Sequence, residues 1–326
     1  MNYLVTGGIG FIGAHVTRRL VREGHAVTAF DLKPDHAFLA ELMTAEELRH
    51  VAVVTGDVTE FPSLLRATAN SRAKRIVHLA ALLGQKSEEN PLLSLRVNCE
   101  ANINVFEIAL ALGVERVVWG SSVAVFGPPS KRPHGEIANG AVHMPVGLYG
   151  ACKSLTEHFS RHYRRSRGLD VTGLRFTLVY GHGKSRTIAR GTGADFLSQL
   201  VDCPALGKPG VVPAGDALID FVYIEDAARA VVLASQASHN PSVGLTIGGQ
   251  RCSLREAAGI VKQIMPEVDI QVEDGSWNRT DHNYDINTAF AEIGYRAEIG
   301  LDDGFKRAIE GFKRAIEDVR RFGAPV

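Results

Sequence analysis

Cysteine is scarce in this sequence, and its arrangement excludes two common kinds of stabilising site. Four cysteines occur in 326 residues, at Cys99, Cys152, Cys203 and Cys252, and no two of them form a Cys-x-x-Cys pair. Structural zinc sites are usually built from such close pairs, and disulfide frameworks are typical of short secreted chains. We therefore expect no metal, and reduced thiols in a protein of the cytoplasm.

An excess of charge and long apolar runs are also missing. Lysine and arginine together number 36, as do aspartate and glutamate, so the formal net charge is zero. This balance gives no electrostatic reason to expect nucleic acid or an anionic membrane as a partner. No apolar run approaches the roughly 20 residues of a membrane-spanning helix, and no leader precedes the first predicted strand. The expected partner is therefore a small-molecule substrate.

The first half of the chain alternates short β-branched runs with amphipathic patterns. The predicted strands are Asn2–Thr6, Ala26–Phe30, Val51–Thr55, Arg75–Leu79, Val114–Trp119 and Val171–Phe176. The predicted helices are Gly13–Glu23, Ser63–Ala69, Val97–Leu112 and Tyr149–Arg167. Such alternation, with nearly continuous apolar strands, predicts an α/β fold in which helices cover both faces of a doubly wound parallel sheet.

After residue 180 the pattern becomes less regular. The stretches Gly181–Ala194 and Pro204–Gly215 are rich in glycine, proline or basic residues and predict loops. A strand-and-helix pattern returns at Ala217–Ala234, where we expect the chain to rejoin the main sheet. We therefore predict a nucleotide-binding domain over residues 1–180, to which the chain returns at about 217–248. A smaller, mixed and mainly substrate-binding domain is expected over residues 181–326.

The last predicted helix contains one heptad, GFKRAIE, twice in succession at 304–310 and 311–317. Helical spacing places six apolar side chains on one face: Phe305, Ala308, Ile309, Phe312, Ala315 and Ile316. Two heptads are too short to indicate a coiled coil, so we expect a packed terminal helix.

The first strand runs into a glycine-rich turn and then into a helix. Glycine suits a turn with unusual dihedrals that a pyrophosphate must approach closely. The helix that follows offers free N–H groups and the positive end of its dipole. In this strand–turn–helix setting the pattern predicts a Rossmann dinucleotide site. The assigned contacts are Gly7, Gly10, Phe11, Ile12 and Gly13.

Asp31 closes the second predicted strand, where an acidic side chain can bind both ribose hydroxyls of adenosine. A carboxylate there would repel a 2′-phosphate, so NAD is favoured over NADP, although the nearby Lys33 weakens that preference. A turn-forming role for Asp31 is the alternative. Further cofactor contacts are assigned to residues that follow the third and fourth strands, namely Asp57, Val58, Ala80 and Ala81. Asp57 could equally be a turn residue.

Tyr149 and Lys153 have the spacing that places two side chains on one face of a helix, one turn apart. A neighbouring ammonium and a cationic nicotinamide ring would both favour the phenolate form of the tyrosine. Tyr149 could then accept a proton from a substrate hydroxyl while a hydride leaves the carbon. Ser122 follows a strand end at the edge where ligands bind and could supply a hydroxyl opposite.

These residues together resemble a known family, the extended short-chain dehydrogenase/reductases of the NAD-dependent epimerase/dehydratase group. The resemblance extends over most of the chain. Its motifs lie at 6–13, 56–57, 78–81, 97–98, 121–127, 149–153, 174–176, 179–181 and 220–226. It implies a Rossmann domain with a small C-terminal substrate domain, and hydride chemistry by Ser122, Tyr149 and Lys153. Lys153 would also hold the nicotinamide ribose, and a homodimer would form through the helices at 97–112 and 149–167.

The chain departs from this family at four positions. Dehydratases and decarboxylases of the family carry acidic residues where this chain has Val123 and Ala124, so elimination and decarboxylation are disfavoured. Enzymes of nucleotide-linked sugars usually have asparagine at the position of Leu178 and a diphosphate-binding arginine at the position of Ile219. Both residues are apolar here, which favours a substrate without a nucleotide.

Three basic residues in the stretch after Tyr180 could bind a phosphate or carboxylate of the substrate, namely Lys184, Arg186 and Arg190. Solvated surface charges are an equally good interpretation. We assign substrate contacts to Gln85, Ser122, Arg186 and Arg190.

The predicted function is reversible NAD-dependent hydride transfer at a secondary alcohol of a sugar-like or hydroxy-acid substrate. It would be either a dehydrogenase or an epimerase whose substrate has no nucleotide. The first alternative is a nucleotide-sugar 4-epimerase. The second is an NAD-binding regulator without catalytic activity, which the complete set of Ser122, Tyr149 and Lys153 disfavours.

Overall fold

The computed structural model describes residues 1–33, 36–128, 135–189, 191, 194–238, 242–277 and 283–322, with side chains as far as 317. The strands are β1 (Asn2–Thr6), β2 (Ala26–Asp31), β3 (Val51–Thr55), β4 (Arg75–His78), β5 (Arg116–Ser122), β6 (Glu136–Ile137), β7 (Val171–Phe176), β8 (Leu178–Tyr180), β9 (Gly210–Val212), β10 (Leu218–Tyr223), β11 (Gly244–Ile247), β12 (Gln250–Ser253), β13 (Ile270–Val272) and β14 (Asn283–Tyr284).

The helices are α1 (Phe11–Arg22), α2 (Ala37–Leu42), α3 (Ala45–Leu48), α4 (Phe61–Ser71), α5 (Gly84–Glu89), α6 (Pro91–Leu95), α7 (Ala101–Leu112), α8 (Leu148–Arg167), α9 (Lys184–Ile188), α10 (Phe196–Leu200), α11 (Asp202–Ala205), α12 (Ile224–Gln236), α13 (Leu254–Ile264), α14 (Asn287–Ile293) and α15 (Leu301–Phe322). A π-helical turn, Arg96–Glu100, precedes α7, and a 3-10 turn, Val123–Phe126, follows β5.

Seven parallel strands form the main sheet in the order β11-β7-β5-β4-β1-β2-β3. Its central strands are mostly buried, and every residue of β7 is buried. A strand of this kind requires cover on both faces, and two large hydrophobic clusters lie against the sheet. The predicted doubly wound α/β fold is therefore confirmed. The carboxyl ends of β1, β4 and β5 meet at one edge, where a ligand binds in such folds.

The strand at 218–223 differs from the prediction. We expected it to rejoin the main sheet, but β10 pairs in parallel with β8 and antiparallel with β12 in a separate sheet. The main sheet gains β11 instead, next to β7. Pairing partners so far apart in the chain leave no local pattern from which the choice could be read. The predicted domain boundary at residue 180 stays a prediction.

The two predicted loops contain short elements. The helix α9 and the strand β9, which pairs with β13, lie within them, and α11 ends within the second. Elements of three to five residues are too short to produce a periodic pattern. The predicted packed terminal helix is present as α15, with Phe305, Ala308 and Ile309 of its apolar face buried. Within the described ranges, no helix has the length and apolar character needed to cross a membrane.

Candidate active site

The glycine-rich turn between β1 and α1 is packed too tightly for any side chain. Gly7 has a left-handed φ of +67°, and its amide donates to the carbonyl oxygen of Phe30 at 2.8 Å. A Cβ on Gly7 would lie 2.8 Å from the amide nitrogen of Ala80, and one on Gly13 would lie 1.9 Å from the Gly7 carbonyl oxygen. Neighbouring backbone therefore requires glycine at both positions.

The start of α1 suits an anionic group. Gly10 is its N-cap residue and provides no side-chain hydrogen bond, and the first turn contains no acidic residue. The first N–H groups of a helix have no partner within the helix, and the helix dipole places partial positive charge there. These features fit the pyrophosphate of a dinucleotide against Gly10, Phe11, Ile12 and Gly13.

Asp31 lies beside this turn at the end of β2. Its Oδ2 accepts a hydrogen bond from the amide of Ile9 at 3.4 Å, and its Oδ1 accepts one from the amide of Leu32 at 2.8 Å. The carboxylate thus helps to hold the glycine turn in place. Its predicted contact with the adenosine ribose stays a prediction, as does the preference for NAD over NADP.

The remaining predicted cofactor contacts also lie at strand ends. Asp57 Oδ1 accepts from both the amide and the hydroxyl of Thr59, each at 2.8 Å, so Asp57 does form a turn. Val58 is 7% exposed and packs in a hydrophobic cluster. Ala80 lies against Gly7, and Ala81 follows it.

The three predicted catalytic residues are brought together. Ser122 ends β5, while Tyr149 and Lys153 lie in the first turns of α8. The Tyr149 hydroxyl is hydrogen-bonded to the Ser122 side chain. Lys153 is 2% exposed, and its Nζ lies 5.5 Å from the centroid of the Tyr149 ring and 5.6 Å from that of Trp119. A phenol, a hydroxyl and an ammonium therefore meet at the ligand-binding edge of the main sheet.

Burial dominates the ionisation of this group. It raises the pKa of the Tyr149 phenol to about 12, although the hydrogen bond with Ser122 acts in the opposite direction. It also lowers the pKa of the Lys153 ammonium to about 8. We expected the ammonium to favour the phenolate, but in this structure Lys153 does not contribute to the shift in the Tyr149 pKa, which burial dominates.

Sequence reasoning missed a buried ion pair between α8 and the main sheet. Glu157, one turn beyond Lys153, is fully buried and accepts from Ser121 Oγ at 2.9 Å and from Arg175 Nε at 2.8 Å. Burial would raise the pKa of Glu157, but Arg175 outweighs it and holds that pKa below its ordinary value. The pair connects α8 to β5 and β7. Its signal was the single charged residue, Arg175, within the predicted strand at 171–176.

Asn98 belongs to the motif at 97–98, and its side chain contacts a distant segment of the backbone. The Asn98 side chain accepts from the amide of Leu82 at 3.0 Å and donates to its carbonyl oxygen at 2.9 Å. This clamp holds the segment that contains Ala80 and Ala81. No local pattern indicated the contact, because its partner lies in another element.

Two of the predicted substrate residues, Gln85 and Arg186, are paired with glutamates of the protein itself. The side chain of Gln85 donates a hydrogen bond to the Glu89 carboxylate at 2.6 Å. The backbone amide of Gln85 donates to the Gly191 carbonyl oxygen at 3.2 Å. Arg186 is paired with Glu41 of α2, so a carboxylate already neutralises its charge. Arg190 lies outside the described residues.

The two apolar departures are part of the core. Ile219 is 4% exposed in β10, opposite Cys252 of β12. Leu178 begins β8 and packs against the same hydrophobic cluster. Neither residue can donate a side-chain hydrogen bond to a diphosphate.

Comparison with known proteins adds to this geometry. A sequence model of the family described as NAD dependent epimerase/dehydratase matches residues 3–247. A probable UDP-glucuronate 4-epimerase of Rhizobium meliloti (strain 1021) is 28% identical over 344 aligned positions, covering 95% of this chain and 96% of that protein.

Two solved structures are similar over nearly the whole chain. The UDP-glucose 4-epimerase of Thermus thermophilus, in complex with NAD, has a TM-score of 0.79 at 26% identity and covers 97% of this chain and 100% of its own. MoeE5, in complex with UDP-glucuronic acid and NAD, has a TM-score of 0.76 at 27% identity with the same coverage.

Proposed function

Because the chain belongs to the NAD-dependent epimerase/dehydratase family, we propose that it inverts C4 of a sugar linked to a nucleoside diphosphate. The family resemblance drawn from the sequence is confirmed, as are the NAD cofactor and an enzyme of the extended short-chain dehydrogenase/reductase type. We first predicted an enzyme whose substrate has no nucleotide. The relatives instead favour the alternative, a nucleotide-sugar 4-epimerase. They are enzymes, and nothing in them supports the non-catalytic regulator.

The observation that carries the proposal is the meeting of Ser122, Tyr149 and Lys153 beside the glycine turn. NAD, when bound, accepts a hydride from the substrate carbon and can return it. The turn and the start of α1 would hold its pyrophosphate, and Lys153 would hold the nicotinamide ribose. For 4-epimerisation the hydride must return to the opposite face of the ketone, so no net oxidation occurs.

The side chains of this group move the proton. Tyr149 accepts the proton of the C4 hydroxyl as the hydride leaves, and gives it back when the hydride returns. Ser122, hydrogen-bonded to Tyr149, orients the same hydroxyl. The Lys153 ammonium stabilises the phenolate because opposite charges attract strongly where water is excluded. Val123 and Ala124 have no acidic or basic group, so they cannot transfer the protons that an elimination requires.

UDP-glucuronate is the first substrate to test. The purified protein is incubated with NAD and UDP-glucuronate, with UDP-glucose in a parallel reaction, and the sugar nucleotides are separated by chromatography. We expect UDP-galacturonate without accumulation of NADH. If neither sugar nucleotide is converted, the proposal is wrong.

Tyr149→Phe should lower the rate of this conversion by several orders of magnitude while NAD affinity stays nearly unchanged, since only the proton acceptor is lost. Turnover and calorimetric NAD titration check the two parts separately. A variant that keeps more than about a tenth of the activity would remove Tyr149 from the proposed role.

Hydride transfer on a smaller polyol, sugar acid or hydroxy acid is the second candidate. The burial of Ile219 favours it, because the core residue leaves no cation at this position for a diphosphate. Calorimetric titration with UDP separates the candidates. Micromolar binding supports the nucleotide sugar, whereas no binding together with NADH formation on small alcohols supports the second candidate.

The homodimer and the cytoplasmic location stay predictions. Each of the two helices predicted to form the interface has an exposed leucine, Leu112 of α7 at 41% and Leu155 of α8 at 42%, which is compatible with a helical interface. Sedimentation analysis of the purified protein would measure the oligomeric state.

A further inference from the structure

Lys184 has a position that the proposed mechanism does not use. It is the first residue of α9, and its Nζ lies 5.5 Å from the centroid of the Phe11 ring. Phe11 is the first residue of α1, directly after the glycine turn. The ammonium is therefore held next to the helix start that suits a pyrophosphate.

Contacts on both sides of Lys184 fix this placement. On the preceding side, His15 Nε2 of α1 lies 3.1 Å from the His182 carbonyl oxygen. On the following side, Arg186 pairs with Glu41 of α2, and its guanidinium carbon lies 4.8 Å from the centroid of the Phe38 ring. The segment is thus anchored to the elements that surround the cofactor site, and Lys184 is not a freely moving surface charge.

The charge of Lys184 has no carboxylate partner in the part of the chain that the structure describes, whereas Arg186 does. Burial lowers the pKa of the Lys184 ammonium to about 8, and no charged neighbour contributes to that shift. The group therefore remains mostly protonated at neutral pH. Lys184 is partly buried, and a cation that has lost part of its hydration without gaining a carboxylate partner is disfavoured. An anion bound beside it would offset that cost.

We infer that Lys184 binds a diphosphate that lies across the start of α1. A diphosphate suits the site because the helix N–H groups and the ammonium act on the same side. Its source is either the NAD pyrophosphate or the diphosphate of a nucleotide-linked substrate, and the second source rests on the proposed function. In the second case Lys184 takes the place of a cation that Ile219 cannot supply.

Calorimetric titrations of the folded protein with NAD and, separately, with UDP test the inference. Three variants are compared: Lys184→Gln, Lys184→Arg and Lys208→Gln. Lys208 is exposed, and its substitution is the matched control for loss of one positive charge. Because hydrogen bonds to charged groups are strong, we expect Lys184→Gln to weaken binding about ten- to a hundredfold. Lys184→Arg should retain most of the affinity, and Lys208→Gln all of it.

The two titrations identify the source. Weaker NAD binding assigns Lys184 to the cofactor, whether or not the enzyme acts on sugar nucleotides. Weaker UDP binding with unchanged NAD binding assigns it to the substrate. The inference is overturned if Lys184→Gln binds both ligands as tightly as the parent protein, or if Lys208→Gln weakens them equally. Thermal unfolding of each variant confirms that it is folded.

Discussion

At the scale of single residues, Asp31 combines two tasks that can be separated by substitution. Its carboxylate accepts hydrogen bonds from the amides of Ile9 and Leu32, and it stands where the adenosine ribose is expected. The first task needs only an acceptor, whereas rejection of a 2′-phosphate needs the negative charge. An asparagine side chain keeps one of the two acceptor oxygens and removes the charge.

Asp31→Ala should weaken NAD binding and reduce the difference in affinity between NAD and NADP. The ribose hydroxyls lose an acceptor, and the 2′-phosphate loses a repulsive charge. Asp31→Asn is the matched control. It should reduce the difference in affinity between NAD and NADP with a smaller loss of NAD affinity. Titration of each variant with both cofactors measures this. An unchanged NAD/NADP ratio in both variants would mean that Asp31 acts only in the turn.

At the scale of secondary structure elements, the terminal helix α15 is docked through small residues. A Cβ on Gly304 would lie 2.0 Å from the Tyr180 hydroxyl, and the ring centroids of Tyr180 and Phe305 are 4.9 Å apart. The repeated heptad begins with glycine each time, and Gly311 lies against His182 in the same way. The apolar face predicted the burial of Phe305, but the role of the glycines follows only from the partner surface.

Gly304→Ala should therefore destabilise the protein, although alanine is the better helix former. Overpacking of a core contact costs about 1–3 kcal/mol. Gly259→Ala in α13 is the control, since its Cβ would meet nothing within 4 Å. It should stabilise by up to about 1 kcal/mol through helix propensity alone. Urea unfolding of both variants measures the difference, and a Gly304→Ala as stable as Gly259→Ala would contradict the close docking.

At the scale of the whole molecule, three histidines are held in an uncharged state. Burial lowers the pKa of His15 and His78 to about 3 and that of His143 to about 4. In the unfolded chain each imidazole binds a proton below about pH 6.5. Between about pH 6.5 and 4 the unfolded state therefore binds more protons than the folded state. The free energy of unfolding consequently falls as the pH falls through this window.

Urea unfolding at several pH values between about 7 and 5 measures the free energy of unfolding. We expect it to fall with pH by up to about 1.4 kcal/mol per pH unit for each histidine. His78→Gln removes one of these groups and should reduce the slope. A stability that does not change over this range would mean that the histidines take up protons in the folded state.

What the sequence determined by itself lies within single elements or between consecutive ones. The glycine turn joins two consecutive elements, β1 and α1, and the spacing of Tyr149 and Lys153 follows from one turn of helix. The alternation of strands and helices determines a parallel sheet, because apolar strands need cover on both faces. Motifs of this kind also carried the family resemblance.

Only the tertiary structure decided which distant groups meet. The pairing of Glu157 with Arg175, the clamp of Asn98 on Leu82 and the placement of Lys184 over Phe11 join residues from different elements. β10 likewise joined a smaller sheet because its neighbours in space are β8 and β12. Local propensity carries no information about such partners, since it records each segment's own conformation and not the surface that the segment will bury.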